Sequence, residues 1–422
     1  MADDNDTVLI PSFREALPRL VQYFRDNGAM GLVLVDLSAL ARIERSFGAK
    51  AYHTLRSQVD PLLGDAKAHV REDDILTRDE REPDRYLFFL TGKRKTKNPF
   101  AFLDLQRLCD RVEGFVTPRV ARLTTPYMRE RPTVDVGHSF VLWSPLENEE
   151  RQLLRLIEDA RATGELRRRL RERDQRDAVT EIIFNRSIWT AFQPIVQMET
   201  RDALGYEGLA RGPRGSPYEY PYALFGTAAR FDLVDELERA CRRQAFVDWE
   251  QFGAPARLFV NTVPATVRDV SFLGRGVIDY LGPHLSPSMV TLEITEGQVI
   301  ENLNLYREAM HSFLELGFTF AIDDVGAGYS GLETIANLGA SYLKIDMGLV
   351  RNIHEKKVSQ QVVKAILDMG AAVGAAVIGE GIETQEEADT LRDLGLRYAQ
   401  GYFFGRPIDP LKRQPPVSVS KS

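Results

Sequence analysis

The stretch TFAIDDVGAGYSGLE, residues 319–333, sets Asp323 and Asp324 side by side behind a short apolar run and ahead of a Gly-Ala-Gly segment. A run of this kind, bounded by glycines, reads as a buried strand. Two like charges at its end repel, and a carboxylate leaving water is costly unless a cation meets it. A solvated turn after the strand is one explanation and a metal site is the other. The rest of the chain decides between them.

The same rhythm recurs from about residue 188. TAFQPIV (190–196), ALGYEGLA (203–210), RLFVNTV (257–263) and VTLEIT (290–295) read as strands, as do FTFAIDD (318–324), SYLKID (341–346), AAVIGEG (375–381) and YAQGYFFG (398–405). Helical patterns such as residues 223–253 and 359–374 lie between them. Eight strand candidates with helices between them predict an α/β fold, a (β/α)8 TIM-like barrel over residues 188–410. A doubly wound open sheet is the runner-up, but no GxGxxG follows a strand and no GxxxxGK[ST] is present.

Nearly every strand candidate ends in a residue able to meet a cation or a phosphate. These are Glu207 and Arg211, Asn261, Glu293 and Glu296, Asp323 and Asp324, Lys344 and Asp346, Glu380 and Glu383, and Gln400. One glutamate at a strand end is ordinarily a turn residue or a cap. Four or more carboxylates converging on a barrel mouth repel strongly unless divalent cations neutralise them. Oxygen ligands with one amide and no thiolate suit Mg²⁺ or Mn²⁺. Asp323 is placed to serve two ions and Asp324 one. Two ions held by carboxylates suit in-line hydrolysis of a phosphodiester. Lys344 would add a cation that orients the water or offsets transition-state charge, and the planar fork of Arg211 would hold a substrate phosphate.

Ahead of the barrel, residues 1–147 have a mixed texture, with strands at 31–37 and 85–90 and an amphipathic helix at 100–116. Residues 148–187 are dense in charge and free of proline, with leucines and isoleucines at helical spacing. They form a helical linker, either solvated cover for the next domain or a signalling and dimerising helix. Residues 411–422 form a tail. In the 422 residues, 44% hydrophobic and 27% charged describe a globular chain, and a net charge of -7 leaves no footprint for a nucleic-acid polymer. Cys109 and Cys241 have no CxxC partner. The acidic N-terminus does not read as a secretory signal, and no apolar run has the length of a membrane span, so no membrane partner and a cytoplasmic location are expected.

The motifs FQPIV, YEGLAR, FVN, LEITE, DDVGAGYSGL, LKID, GEGIET and QGYFFGRP, in that order over about residues 188–408, resemble the EAL-type cyclic-di-GMP phosphodiesterase domain. The resemblance implies hydrolysis of one phosphodiester of cyclic di-GMP to linear pGpG. It implies Glu207, Asn261, Glu293 and Asp323 as ligands of a first metal, and Asp323, Asp324 and Glu380 around a second. Lys344 would contact the attacking water with Gln400 close by, and Gln193 and Arg211 would contact the dinucleotide. Glu296 would tether the loop 325–331, which in this family links metal binding to dimerisation, so a homodimer is expected. The chain departs from the pattern at Gly208, Val325, Ala327, Gly331 and Gly379, none of them a ligand position. A catalytically weak or inactive cyclic-di-GMP receptor is the alternative reading. The segment 212–222 after Arg211 is either a cover for the site or an ordinary surface loop.

LVLVDLSALARIERSFG (32–48) resembles the opening of a GGDEF-type diguanylate cyclase domain, with Asp36 at the place of a metal-binding aspartate. The signature falls on EPDRY (82–86), where both glycines are lost and Arg85 puts a positive charge in place of an acid. This implies a degenerate N-terminal α/β domain without cyclase activity, a regulator for which GTP is a candidate ligand. Arg71 and Asp74 are placed like the family's inhibitory RxxD.

Overall fold

A computed structural model describes residues 10–70, 73–90, 102–128, 132–262, 277–278, 280–281, 283, 285–295, 310–326 and 339–412. Contacts divide the chain into two units, Met1–Asp174 and Gln175–Ser422.

In the first unit, Ser12 starts helix α1 (Phe13–Asn27). Its hydroxyl accepts the Glu15 N–H at 3.3 Å while the Glu15 carboxylate accepts the Ser12 N–H at 2.7 Å, a reciprocal cap. Strand β1 (Ala29–Asp36) follows, then helices α2 (Ala41–Phe47) and α3 (Ala49–Ala66), strands β2 (Ile75–Arg78) and β3 (Arg85–Leu90), helix α4 (Phe102–Thr124) and strand β4 (Asp135–Leu142). The strands lie in the order β2-β3-β1-β4, and every pair is antiparallel. Alternate residues of β1 serve opposite faces. Met30, Leu32 and Leu34 pack with α1, whereas Val33 and Val35 pack with α3 and α4. Cys109 on α4 is buried and free. Of the expected RxxD pair, Asp74 is buried and Arg71 lies outside the described residues.

Helix α5 (Glu149–Phe184) confirms the helical reading of the charged stretch. Its early apolar residues Leu153, Leu156, Ile157 and Ala160 lie in the first unit's core. The arginines that follow are not simply solvated. Arg167 reaches Asp110 at 2.7 Å and Glu113 at 3.1 Å, Arg168 reaches Asp135 at 3.0 Å, and Arg171 reaches Glu113 at 2.8 Å. The helix lies so close to β4 that a Cβ on Gly137 would stand 1.9 Å from the carbonyl oxygen of Ala160 and 2.5 Å from the Gly164 nitrogen. Backbone cannot yield as a side chain does, so Gly137→Ala should destabilise the first unit by about 3 kcal/mol. Urea unfolding of the variant would check this, and an unchanged midpoint would refute the close approach.

The second unit begins with the last turns of α5, where Val179 and Ile182 pack against Leu224 and Leu237. Its elements are β5 (Trp189–Gln197), β6 (Ala203–Arg211), α6 (Pro221–Arg230), α7 (Val234–Phe252), β7 (Arg257–Asn261), β8 (Val290–Thr295), β9 (Thr319–Val325), β10 (Tyr342–Ile345), α8 (Met347–Val350), α9 (Lys357–Val373), β11 (Ala376–Gly379), α10 (Gln385–Asp393) and β12 (Tyr398–Gln400). All eight expected strands are present and close into a barrel in the order β10-β11-β12-β5-β6-β7-β8-β9.

One feature of the (β/α)8 expectation is corrected: β5 runs antiparallel to both neighbours, β12 and β6. Met198–Asp202 is all that separates β5 from β6, whereas a parallel crossover needs about a dozen residues or more. The connection is therefore a hairpin. The six remaining neighbour pairs are parallel.

Strand alternation sorts the barrel interior into layers. Ile195 (β5), Phe259 (β7), Ala321 (β9) and Ile378 (β11) form a small apolar cluster from alternate strands. Two residues further towards the C-terminal ends of the parallel strands, the same strands or their ends carry Gln193, Asn261, Asp323 and Glu380. The intervening strands supply Glu207, Glu293, Lys344 and Gln400. Above an apolar floor, positions that barrels of this type usually fill with branched apolar side chains are all polar.

Candidate active site

Lys344 organises these polar layers. It is fully buried, and its Nζ lies 2.6 Å from Glu380 Oε1, 2.7 Å from Glu293 Oε1 and 3.5 Å from both Glu207 Oε2 and Asp323 Oδ1. An ammonium taken from water would lose its charge, but these carboxylates outweigh burial and hold Lys344 well above its ordinary pKa. Burial raises Glu293 well above the carboxylate range. It also pushes Glu380 up to about 8, with the charges of Asp323 and Glu207 adding to the effect and Lys344 opposing it.

Glu207 behaves differently. Burial alone would raise it, yet Lys344 and two amides hold it below the usual range. Gln400 Nε2 donates to Glu207 Oε2 at 2.6 Å, and Asn261 Nδ2 donates to Oε1 at 3.1 Å. Gln400 also donates to Gln193 Oε1 at 3.3 Å, and Gln193 Nε2 donates to the carbonyl of Gly405 at 3.2 Å. Neighbouring strands thus fix each other's side chains.

The paired aspartates follow from backbone geometry. Consecutive residues of a strand point to opposite faces, but Asp324 has φ 58°, a left-handed conformation that aspartate tolerates better than most residues. Its N–H donates to Asp323 Oδ1 at 2.9 Å. With the alternation broken, carboxylate oxygens of Asp323, Asp324 and Glu380 come within 4.8 Å of one another. Burial raises Asp323 and Asp324 above their ordinary values. Both oxygens of buried Glu293 lack an aligned hydrogen bond, although Lys344 stands close to one of them. Unsatisfied hard oxygen donors of this kind are a chemical fit for a divalent cation.

The structure therefore brings Gln193, Glu207, Asn261, Glu293, Asp323, Asp324, Lys344, Glu380 and Gln400 to one end of the barrel. Arg211 stands apart at the end of β6. Its Nη1 donates to the Ala210 carbonyl, and its guanidinium lies 5.9 Å from the ring of Tyr220. Glu296, Ala327 and Gly331 lie outside the described residues. Two other strand-end acids have structural roles instead. Asp346 accepts the Gly348 N–H at 2.9 Å as the cap of α8, and Glu383 forms a forked pair with Arg351, 2.8 Å at its longer arm. At the two glycines that depart from the family pattern within the strands, the space differs. A Cβ on Gly208 would stand 3.3 Å from Thr190 Cγ2, whereas one on Gly379 would meet Leu396 Cδ2 at 2.6 Å. The segment after Arg211 is anchored by Arg214, which reaches Asp409 at 2.8 Å and stacks 4.3 Å from the Trp189 ring centre.

Residues 172–407, more than half of the chain, match the family model described as the EAL domain. The chain belongs to the EAL domain family. Among curated relatives of this EAL chain, a "probable cyclic di-GMP phosphodiesterase PdeA" of Escherichia coli strain K12 is 37% identical over 188 residues, covering 44% of this chain and 25% of that protein. The "cyclic di-GMP phosphodiesterase PdeB" of Shewanella oneidensis is 30% identical over 199 residues, covering 44% of this chain and 22% of that protein. The chain thus spans about a quarter of the length of these relatives. The solved EAL enzyme Bd1971, in its cAMP- and cyclic-di-GMP-bound form, aligns with a TM-score of 0.52 at 25% identity, covering 67% of this chain and 81% of that one.

One residue holding this site in shape is absent from the sequence reading. Glu387, at the third position of α10, is buried and accepts backbone N–H groups from both sides of the mouth. The Thr384-x-x-Glu387 spacing is a capping-box signal and marks it as structural, but its reach to a distant loop is invisible in sequence.

Proposed function

We propose that the EAL barrel is a metal-dependent phosphodiesterase that opens cyclic di-GMP to linear pGpG. The observation that carries this reading is the ring of carboxylates around one buried ammonium. Glu207, Glu293, Asp323, Asp324 and Glu380 against Lys344 leave a formal excess of four negative charges, the amount that two divalent cations neutralise. Glu207, Asn261, Glu293 and Asp323 would hold one ion, and Asp323, Asp324 and Glu380 the other. When bound, Mg²⁺ or Mn²⁺ would supply Lewis acidity at the reacting phosphate. The chain's own groups do the rest. Arg211 binds a phosphate of the dinucleotide, and Gln193 contacts it. Lys344 Nζ orients the attacking water and offsets charge growing on the phosphoryl oxygens. Asn261 and Gln400 hold Glu207 ionised and in place.

Purified protein incubated with cyclic di-GMP and Mn²⁺ or Mg²⁺ should yield linear pGpG on chromatography, and EDTA should reduce the product to background. Intact dinucleotide in every tube, with binding still detectable, would leave a receptor in place of the enzyme.

The first unit supports a role as a degenerate GGDEF-like regulator. Asp36, at the place of a metal-binding acid, is already satisfied within the chain. Its Oδ1 accepts the Ser38 N–H at 2.8 Å, and its Oδ2 accepts Arg85 Nε at 2.6 Å. The two residues face each other across β1 and β3, so Arg85 fills the position of a cation. Addition of GTP to the assay tests regulation, and a change in turnover would assign the unit that role. We expect the protein to act as a homodimer in the cytoplasm.

A further inference from the structure

We propose that Glu387 is a positioning residue for the ion site, joining the loop that follows Lys344 to the loop that carries Glu380. The inference deepens the two-ion reading and rests on it. Glu387 is 1% exposed, although α10 begins at the surface. Its Oε2 accepts the N–H of Glu383 at 2.8 Å and of Thr384 at 3.2 Å. A glutamate at the third position of a capping box ordinarily closes back on its own cap. Here the other oxygen, Oε1, accepts the N–H of Asn352, 35 residues earlier, at 2.9 Å. Asn352 has φ 55° and ends the turn after α8, downstream of Lys344 on β10. Glu383 and Thr384 directly follow the Glu380-Gly381-Ile382 turn.

One carboxylate therefore ties the exits of two adjacent strands that deliver the cation and an acid of the site. The strands hold this turn by two long backbone bonds, Glu380 N–H to the Ile345 carbonyl at 3.3 Å and Ile382 N–H to the Gln400 carbonyl at 3.2 Å, with a third from the Phe403 N–H to the Ile382 carbonyl at 3.1 Å. Glutamate suits the task where glutamine does not. An ionised carboxylate accepts on both oxygens, whereas an amide at the same place would turn an NH₂ donor towards the Asn352 N–H. Glu387→Gln thus removes the bridge to Asn352 while leaving one oxygen for the helix cap. Thr384→Ala does the reverse, weakening the cap and sparing the bridge.

Mn²⁺ titration followed by EPR, thermal melting and steady-state kinetics of the full chain separate these effects. Glu387→Gln should bind Mn²⁺ about tenfold more weakly and lose kcat with KM for cyclic di-GMP little changed. Thr384→Ala should lower Tm while keeping the Mn²⁺ affinity of the wild type. Wild-type Mn²⁺ affinity in Glu387→Gln would overturn the inference, as would affinity losses in both variants that simply track Tm. Should Glu387→Gln fail to fold, amide exchange at Asn352 in the wild type decides, because coupling between two sites is reciprocal. Exchange should slow on Mn²⁺ binding, and an unchanged rate would overturn the inference. A wild type that neither binds Mn²⁺ nor cleaves the dinucleotide would instead overturn the phosphodiesterase reading itself.

Discussion

Replacing Lys344 by methionine should destabilise the metal-free barrel by about 3–5 kcal/mol, the usual cost of stripping one partner from a buried ion pair. Four carboxylates lie within 3.5 Å of its Nζ, and Glu293 among them is fully shielded from water. The deficit has a definite pH dependence. Without the ammonium, Glu207 rises above its ordinary value and the already raised Asp323, Glu293 and Glu380 rise further, while in the unfolded chain all stay near about 4. The folded protein then holds protons that the unfolded chain has released, so stability falls as pH rises through that window. The gap to wild type should be small near about pH 5 and large near about pH 8. Mn²⁺ should narrow it by supplying the missing positive charge. Turnover should fall about 10²–10³-fold, the loss expected when a preorganised cation is removed from a developing oxyanion. Chemical denaturation at both pH values checks the first effect, and equal stability at the higher pH would show that the ammonium does not balance the ring.

Glu207→Ala should reduce pGpG formation by about 10³-fold, with the fold intact. Glu207 is the acid of the ring whose pKa lies below its ordinary value despite burial. Lys344, Asn261 and Gln400 keep it ionised, and a charged oxygen ligand is what a divalent ion requires. Stability should respond far less than in the lysine variant. Removing one acid of the ring relieves repulsion, which offsets the hydrogen bonds that Asn261 and Gln400 lose. Glu207→Gln, which keeps the volume and one acceptor, should fold like wild type and be as inactive as the alanine variant. Chromatography of the product beside a thermal melt distinguishes loss of chemistry from loss of structure. An alanine variant that still makes pGpG at the wild-type rate would remove Glu207 from the ion site.

The barrel and its ring were legible because two periodicities coincide. A strand of period two puts every second residue inside, and here each inward position near the strand end is polar within an otherwise apolar run, as in FVN and LKID. Polar residues there carry a cost that a packed core would avoid, which is why a candidate site could be located before the contacts. The direction of β5 was less visible, since TAFQPIV has the same alternation either way and only the shortness of Met198–Asp202 betrays the hairpin. Asp346 and Glu383 resemble ligands by position alone, and their true partners, the Gly348 amide and Arg351, are set by the turns that follow. Glu387 was hidden for the opposite reason, because half of its work is done for a residue far away in sequence.

The reversed first strand decides where the barrel is held. Trp189, the first residue of β5, pairs with Arg211, the last of β6, while Gln197 at the other end pairs with Tyr398. An all-parallel barrel would receive its incoming chain beneath the floor of Ile195, Phe259, Ala321 and Ile378. This one receives it at the rim, where the last turns of α5 and Ile188 nestle beside Ala210, one residue from Arg211. The entry of the chain and the carboxylate ring thus share one end of the barrel, with the apolar layer beneath them.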